Sequence, residues 1–516
     1  SEMCIRDSFN TVNGIPATGN KKLMRGILRD EMGFDGVLIS DWAAIEETIY
    51  HGYCADKEDA AIRAVEAGVD IDMMTGIYCD NLCRLVREGK IPESLVDECC
   101  MRILELKNKL GLFENPYKDA DEEKEQQLIL CKEHRELARE AARKSFVLLK
   151  NEEQILPLDK TKKTAFIGPY VNSRNLMGSW SIIGEAKDIT TVEEIMAVEE
   201  AGNNVVCCQG SPMLGAEVIL EGFTEENQAT YTPEEEAKML EEALEAAKKA
   251  DQVVLFIGED RLQSGEATSN ATIQIPQIQQ NLLERVAEIN ENIAVVLFSG
   301  RPLDLRDVQV KAKAILEVWM PGTEGAGAIT DVLYGRYNPT GKLPMSFPYC
   351  VGQVPVHYNE YATGRPHVEG KDKDRFRSKY LDIPNAPLYP FGYGLSYTTF
   401  TVSEVSLDKD SMKDGESIRA AVTVKNTGTC AGTETIQLYL HDVAASVVRP
   451  VKELKDFRKV TLQPEEEARV EFTITEPQLC FLSENNIFES EAGIFEIFIG
   501  TDSTTTNKAK FTLEKQ

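Results

Sequence analysis

The chain has 516 residues, too many for one hydrophobic core, so about three domains are expected. Apolar residues make up 42% and charged residues 27%, the balance of an ordinary globular protein. The 85 acidic and 56 basic residues leave a net charge of −29. That excess argues against nucleic acid or an anionic membrane as partner and favours a neutral substrate over a phosphorylated one.

No apolar stretch approaches the ~20 residues of a membrane span. Residues 1–7, beginning Ser1-Glu2-Met3, do not resemble the sequence after them; they read as a cloning or assembly remnant on a fragment without its natural N-terminus. The 12 cysteines show no ordered spacing, and the adjacent pairs Cys99-Cys100 and Cys207-Cys208 are unsuited to bridging each other. Loose cysteines lean toward a reducing compartment such as the cytoplasm. A periplasmic or secreted location stays open for a chain lacking its front. With five histidines and no Cys-x-x-Cys or His/Cys cluster, no metal site is expected.

In chain order, residues 8–115 read as βα units. Residues 36–40 form a buried strand, 57–67 a helix stopped by Gly68, and 69–73 a second strand. A long helix over 92–110 carries Leu95, Val96, Cys99, Ile103, Leu106 and Leu110 at helical spacing, with Pro92 in its first turn and Gly111 at its end. A charged stretch, 116–133, reads as a linker. From 134 to 348 the alternation resumes, with apolar strands at 163–167, 205–208, 253–257, 294–298 and 314–319 and helices such as 233–250 and 276–289 between them. Strands separated by helices imply a mostly parallel sheet covered on both faces. Residues 349–397 lack periodicity and read as an extended connection. Over 398–516 the texture turns to alternating strands, at 418–424, 435–440, 468–474 and 494–499, as in a fibronectin type III-like β-sandwich.

Two carboxylates stand out against this frame. Asp41 ends the apolar run before it and is followed by the aromatic platform of Trp42. In α/β folds, ligands bind at the carboxyl ends of parallel strands. The competing reading is that Asp41 caps the next helix. Glu266 lies in the polar loop 258–267, which leaves the carboxyl end of the strand 253–257, and small residues flank it. Glu259 and Asp260 in the same loop read as solvated acids. Two such carboxylates suit glycosidic cleavage, one protonating the leaving oxygen and one acting at the anomeric carbon.

Several stretches resemble glycoside hydrolase family 3, particularly its multidomain bacterial β-glucosidases. They are Ser8-Phe9-Asn10 with Asn13-Gly14-Ile15-Pro16, residues 33–42, Leu110-Gly111-Leu112-Phe113, and 145–151 (SFVLLKN). Further on come Ser264-Gly265-Glu266-Ala267, 338–348 (NPTGKLPMSFP), 389–397 (YPFGYGLSY) and Arg449-Pro450-Val451-Lys452-Glu453-Leu454. The resemblance runs in order over nearly all of 8–516. It implies the C-terminal part of a (β/α)8 barrel over 8–115, an α/β sandwich domain over 134–348 and a fibronectin-like domain over 398–516.

By the same resemblance Asp41 is the nucleophile and Glu266 the acid/base. Trp42 and Trp180 clamp the leaving-group sugar, the competing reading for Trp180 being a core residue at a domain interface. Phe9 stands where many relatives carry Tyr near the bound sugar. Ser264 and Met74 fall near the substrate, although Met74 also reads as barrel core. No cofactor is implied, the partner is a small oligosaccharide or glucoside, and a homodimer is allowed. A whole barrel takes ~200–250 residues, of which the chain supplies roughly the last third, so the fragment alone is expected to be inactive. The implied activity is retaining release of β-linked glucose. A β-xylosidase or exo-β-glucanase of the same fold is the alternative, and a non-catalytic carbohydrate-binding protein the rival of another class.

Overall fold

A computed structural model describes residues 3–181, 184–199, 204–215, 231–368, 370 and 373–515. Three positions of the expected connection over 349–397 (369, 371 and 372) lie outside the described residues. The chain divides into two compact units, Ser1–Gln127 and Leu128–Gln516.

In the first unit, strand β1 (Cys4–Arg6) pairs in parallel with strand β2 (Val37–Ile39), Ile5 lying opposite Leu38. Residues 3–7 are therefore built into the fold, which corrects the reading of 1–7 as a remnant. Ile5 packs against the unit's core of Leu38, Ile45, Val65, Val69 and Leu85. The strand expected over 69–73 shrinks to one parallel bridge between Ile71 and Ile39. The reason is Asp70, whose carboxylate takes the Leu38 amide at 2.8 Å and so claims a donor that a strand's carbonyl would otherwise use.

Helix α1 (Lys57–Ala67) occupies the expected residues because both of its ends are encoded locally. The Asp56 side chain accepts from the Glu58 and Asp59 amides, and Gly68 adopts the left-handed φ of +94° that ends the helix. Helix α2 (Glu93–Lys109) follows Pro92, which stands at the N-cap one residue outside the first turn. Lys22–Glu31, given no element by the sequence pattern, winds as a wide π-type helix.

Asp70 ties this unit together. Arg29 reaches its Oδ2 at 2.9 Å and also donates to the carbonyls of Gly36 and Gly68; Arg102 of α2 reaches its Oδ1 at 2.9 Å. The Asp70 side chain is fully buried and that of Arg29 nearly so. Each carboxylate oxygen thus meets an arginine, and the same side chain satisfies the ladder amide.

The second unit is built on a six-stranded sheet. In chain order its strands are β3 (Val147–Asn151), β4 (Thr164–Ile167), β5 (Val205–Cys208), β6 (Gln252–Gly258), β7 (Ile293–Phe298) and β8 (Ala314–Glu317), arranged β3-β8-β7-β6-β4-β5. All neighbours are parallel except β3, which runs antiparallel to β8 at the edge. Central strands β6 and β7 are buried along their whole length, which their unbroken apolar runs require. One face packs Phe166, Phe256 and Phe298, with Tyr170 stacked on Phe298 at 3.9 Å between ring centroids; the other packs Val253, Leu255, Val295 and Leu297. Helix α3 (Pro233–Lys249) starts at a capping box, Thr232 and Glu235 bonding each other's backbone amides around Pro233.

Strand β8 stops at Glu317, two residues short of the expected end. The Glu317 carboxylate takes the Trp319 amide at 2.8 Å, and Trp319 turns to a φ of +55°. Residues 349–397 are not a free tether: Leu395 bridges to Leu148, Tyr389 to Phe347 and Tyr361 to Pro450. Beyond them lie the two facing sheets of a β-sandwich. In one, the strand Ser417–Asn426 pairs along Glu467–Thr475; in the other, Gly432–Asp442 lies between Glu453–Leu462 and Gly493–Gly500. The fold is thus α/β and multidomain with a terminal β-sandwich.

Asp70→Asn leaves the largely buried Arg29 without its counter-charge and Arg102 with Glu98 alone, at an expected cost of about 3–5 kcal/mol. Hydrogen exchange of the Val37–Ile39 amides should accelerate roughly a hundredfold or more. Unchanged exchange there would show that the ion cluster does not hold the unit.

Candidate active site

Asp41 leaves the carboxyl end of β2 one residue after the buried Ser40. It does not cap the following helix. That helix, Ala44–Tyr50, has Ala43 at its N-cap and no side-chain cap bond. The Asp41 carboxylate is instead held by two contacts, and its backbone amide by a third. Oδ1 accepts the Trp42 amide at 2.6 Å, Oδ2 lies 3.2 Å from Nε of Arg6, and the Asp41 amide donates to Oδ1 of Asp7 at 2.8 Å. Burial pushes the Asp7 carboxyl up from its ordinary value, its bond to the Asp41 amide opposing that rise. Arg6 and Asp7 both come from the β1 end, which the sequence pattern had set aside.

A second turn lies against this one. Ser40 Oγ accepts the Met73 amide at 2.9 Å, and Ala43 donates to the Met73 carbonyl at 3.1 Å. Met74 follows at a φ of +77° and is exposed, so it is not barrel core. Trp42 is 59% exposed, leaving its ring face open beside the carboxylate. Phe9 is half-buried, and its carbonyl lies 3.2 Å from Nε2 of His51.

In the second unit the loop after β6 carries Glu266. Its first two acids are not solvated, contrary to expectation. Glu259 is buried, with Oε1 lying 3.2 Å from Nε of Arg301. Asp260 is buried as the cap of the short turn Arg261–Gln263, bonding the Leu262 amide at 2.8 Å and Nδ2 of Asn175 at 3.0 Å. Burial pushes both carboxyls up, against the pull of Arg301 on Glu259 and of the Leu262 amide on Asp260. Alternating acids in a polar loop give no sequence signal of this, because the partners come from residues 175 and 301.

Ser264 is buried where the loop crosses Gly300; a Cβ on that glycine would stand 1.9 Å from Ser264 Oγ. Gly265 has a φ of +114°, and a Cβ there would meet Ser179 Oγ at 2.7 Å. The close approach brings the Gly178-Ser179-Trp180 segment against the Glu266 loop. Trp180 is 64% exposed. Glu266 is itself exposed and takes no hydrogen bond or ion pair among the described residues. A carboxyl group so presented is free to exchange a proton with a bound molecule.

Under the loop, Glu317 at the end of β8 is wholly buried. Its Oε1 accepts from Ser299 Oγ at 3.1 Å and from the Trp319 amide, while Oε2 meets no partner among the described residues. Burial pushes its carboxyl well above the usual carboxylate range. No group of three or more His, Cys, Asp or Glu side chains among the described residues could hold a metal ion.

Three family models match this chain in order. The glycosyl hydrolase family 3 N-terminal domain matches residues 3–106, the C-terminal domain of the same family 146–397, and a fibronectin type III-like domain 434–503. A periplasmic beta-glucosidase of Salmonella typhimurium is 42% identical over 98% of this chain and 67% of its own length. A beta-xylosidase of Formosa agariphila is 34% identical over 95% of this chain and 66% of its own. Among solved structures, a beta-glucosidase of Listeria innocua in complex with glucose superposes with a TM-score of 0.89 at 42% identity, over 98% of this chain and 67% of that one. The chain therefore spans about two thirds of the length of these relatives. With the family's two domain models in sequence order and identity sustained from end to end, the chain belongs to glycosyl hydrolase family 3.

Proposed function

We propose that the protein is a retaining β-glucosidase, active at the length of its relatives, in which Asp41 is the nucleophile and Glu266 the acid/base. What carries the reading is a pair of strand-end carboxylates of opposite character. One is fixed in direction by Arg6 and the Trp42 amide; the other stands on a pinned loop with no partner among the described residues. The relatives named beta-glucosidases support glucose as the sugar released, and their complexes with glucose and laminaribiose support a β-linked oligosaccharide as substrate.

Asp41 attacks the anomeric carbon while Glu266 protonates the departing oxygen, giving a covalent glycosyl-enzyme. Glu266 then removes a proton from water, and the resulting attack returns Asp41 as a carboxylate. Trp42 and Trp180 offer exposed ring faces on which a sugar's apolar face can stack. Retention needs the two carboxyl groups about 5–5.5 Å apart, whereas inversion needs about 6.5–9.5 Å. A second reading, β-xylosidase, draws on the Formosa agariphila relatives at 33% and 34% identity. Comparing kcat/KM on nitrophenyl β-glucoside and β-xyloside separates the two.

In the full-length protein, Asp41→Asn should lower kcat about 10⁴-fold or more, the scale of losing one member of a concerted catalytic set. Circular dichroism should stay unchanged, and undiminished kcat would refute the nucleophile. Glu266→Ala should lower kcat/KM for alkyl glucosides or disaccharides roughly 10²–10⁴-fold, with far smaller losses for dinitrophenyl glucosides that leave without a proton. Equal losses on both substrate types would remove Glu266 as the acid.

A further inference from the structure

The turn that carries Glu266 is gripped at both ends by one side chain from outside the loop. Arg301 follows β7 by three residues, behind Ser299 and Gly300. Its guanidinium spends three contacts in one place: Nε faces Glu259 Oε1 at 3.2 Å, and Nη2 donates to the carbonyls of Gln263 and, at 3.3 Å, Thr268. Residues 263 and 268 are the two ends of the turn on which Glu266 sits. Within that span Thr268 Oγ1 donates to the Gly265 carbonyl at 2.6 Å, and from two residues beyond it Asn270 Nδ2 closes onto the Gln263 carbonyl at 3.1 Å.

We propose that Arg301 is a positioning residue for the acid/base, fixing both ends of the Glu266 turn to the sheet with Glu259 as its buried counter-ion. The inference rests on the reading of Glu266 as the acid. The anchorage continues downward into the core. Tyr170 donates its hydroxyl to the Glu259 carbonyl and stacks on Phe298, the last residue of β7. Gly300 admits Ser264 so closely that the turn rests directly on the strand end. A lysine at position 301 would keep a charge for Glu259, but its single ammonium lacks the planar fork that serves a carboxylate and two carbonyls together. The consequence is specific to acid catalysis. Among the described residues Glu266 has no partner of its own to orient it, so its place is set by the turn beneath it, and a displacement of about 1 Å at a reacting group can cost on the order of a hundredfold in rate.

The test compares kcat/KM, which reports the bond-cleaving step, for a disaccharide and for dinitrophenyl glucoside, in the full-length protein and in its Arg301→Met, Arg301→Lys and Glu266→Ala variants. Arg301→Met should lower the disaccharide value at least about tenfold more than the dinitrophenyl value, with Arg301→Lys falling between it and the parent. A role confined to stability would lower the active fraction, and hence both values, by one factor; that result overturns the proposal. Should Arg301→Met fail to fold, the charge-balanced double variant Glu259→Gln/Arg301→Met takes its place, and an unchanged substrate ratio there is equally fatal. A substrate split in Glu266→Ala without one in the Arg301 variants overturns the positioning role alone. No split in Glu266→Ala removes the acid assignment and the inference with it.

Discussion

A parallel strand buried on both faces can carry polar side chains only where it leaves the sheet, and this chain places its chemistry at those exits in both units. Strand β2 is followed at once by Ser40 and Asp41, β6 by Glu259 and β7 by Ser299, while β8 ends on Glu317. The interior of each strand is then free to be wholly apolar, as the runs of β6 and β7 show. What each exit needs is a partner for its acid, supplied by a residue from a neighbouring strand end. Arg6 serves Asp41, Arg301 serves Glu259, and the Ser299 hydroxyl serves Glu317.

The buried acids divide by how they are satisfied. Asp70 meets Arg29 and Arg102, and Asp331 meets Arg139, Arg143 and Arg336. Burial acts to raise the Asp331 carboxyl, yet its arginines hold it below the usual range. Planar guanidinium groups suit this work because each can serve a carboxylate and a backbone carbonyl together, as Arg29 and Arg139 do. Glu317 meets no cation among the described residues and accepts two neutral donors, so burial prevails and its carboxyl rises. Glu266 differs from all of them: it is exposed and, among the described residues, unpartnered, on a turn held by other residues. Rigidity in the support and freedom at the reacting group are the combination a proton-transfer site requires.

Local signals carried much of the architecture. Asp56 and Gly68 encode both ends of helix α1, Thr232, Pro233 and Glu235 encode the start of α3, and unbroken apolar runs mark β4, β6 and β7. Strand alternation marks Ser417–Asn426 and Glu467–Thr475 in the sandwich. The order of motifs along the chain was enough to suggest the family, and Asp41 and Glu266 were legible as strand-end carboxylates because such strands announce where they stop.

What the one-dimensional pattern could not contain is which distant side chain meets which. Arg301 lies 38 residues from Gln263 and 33 from Thr268, so nothing in the loop's composition distinguishes its buried acids, Glu259 and Asp260, from its exposed one. Asp70 reads as part of a strand until Arg29 and Arg102 arrive from 41 and 32 residues away, and its side chain then takes the ladder's hydrogen bond. Cys4–Arg6 reads as foreign because three residues are too few to show a period, yet they pair with β2 and bring Arg6 to Asp41. The sequence by itself determined element types, caps and the family, because those depend on neighbours within a turn or two. Only the tertiary structure decided burial, ion pairing and the rigidity of the Glu266 turn, because these are set by contacts between residues that the chain keeps far apart.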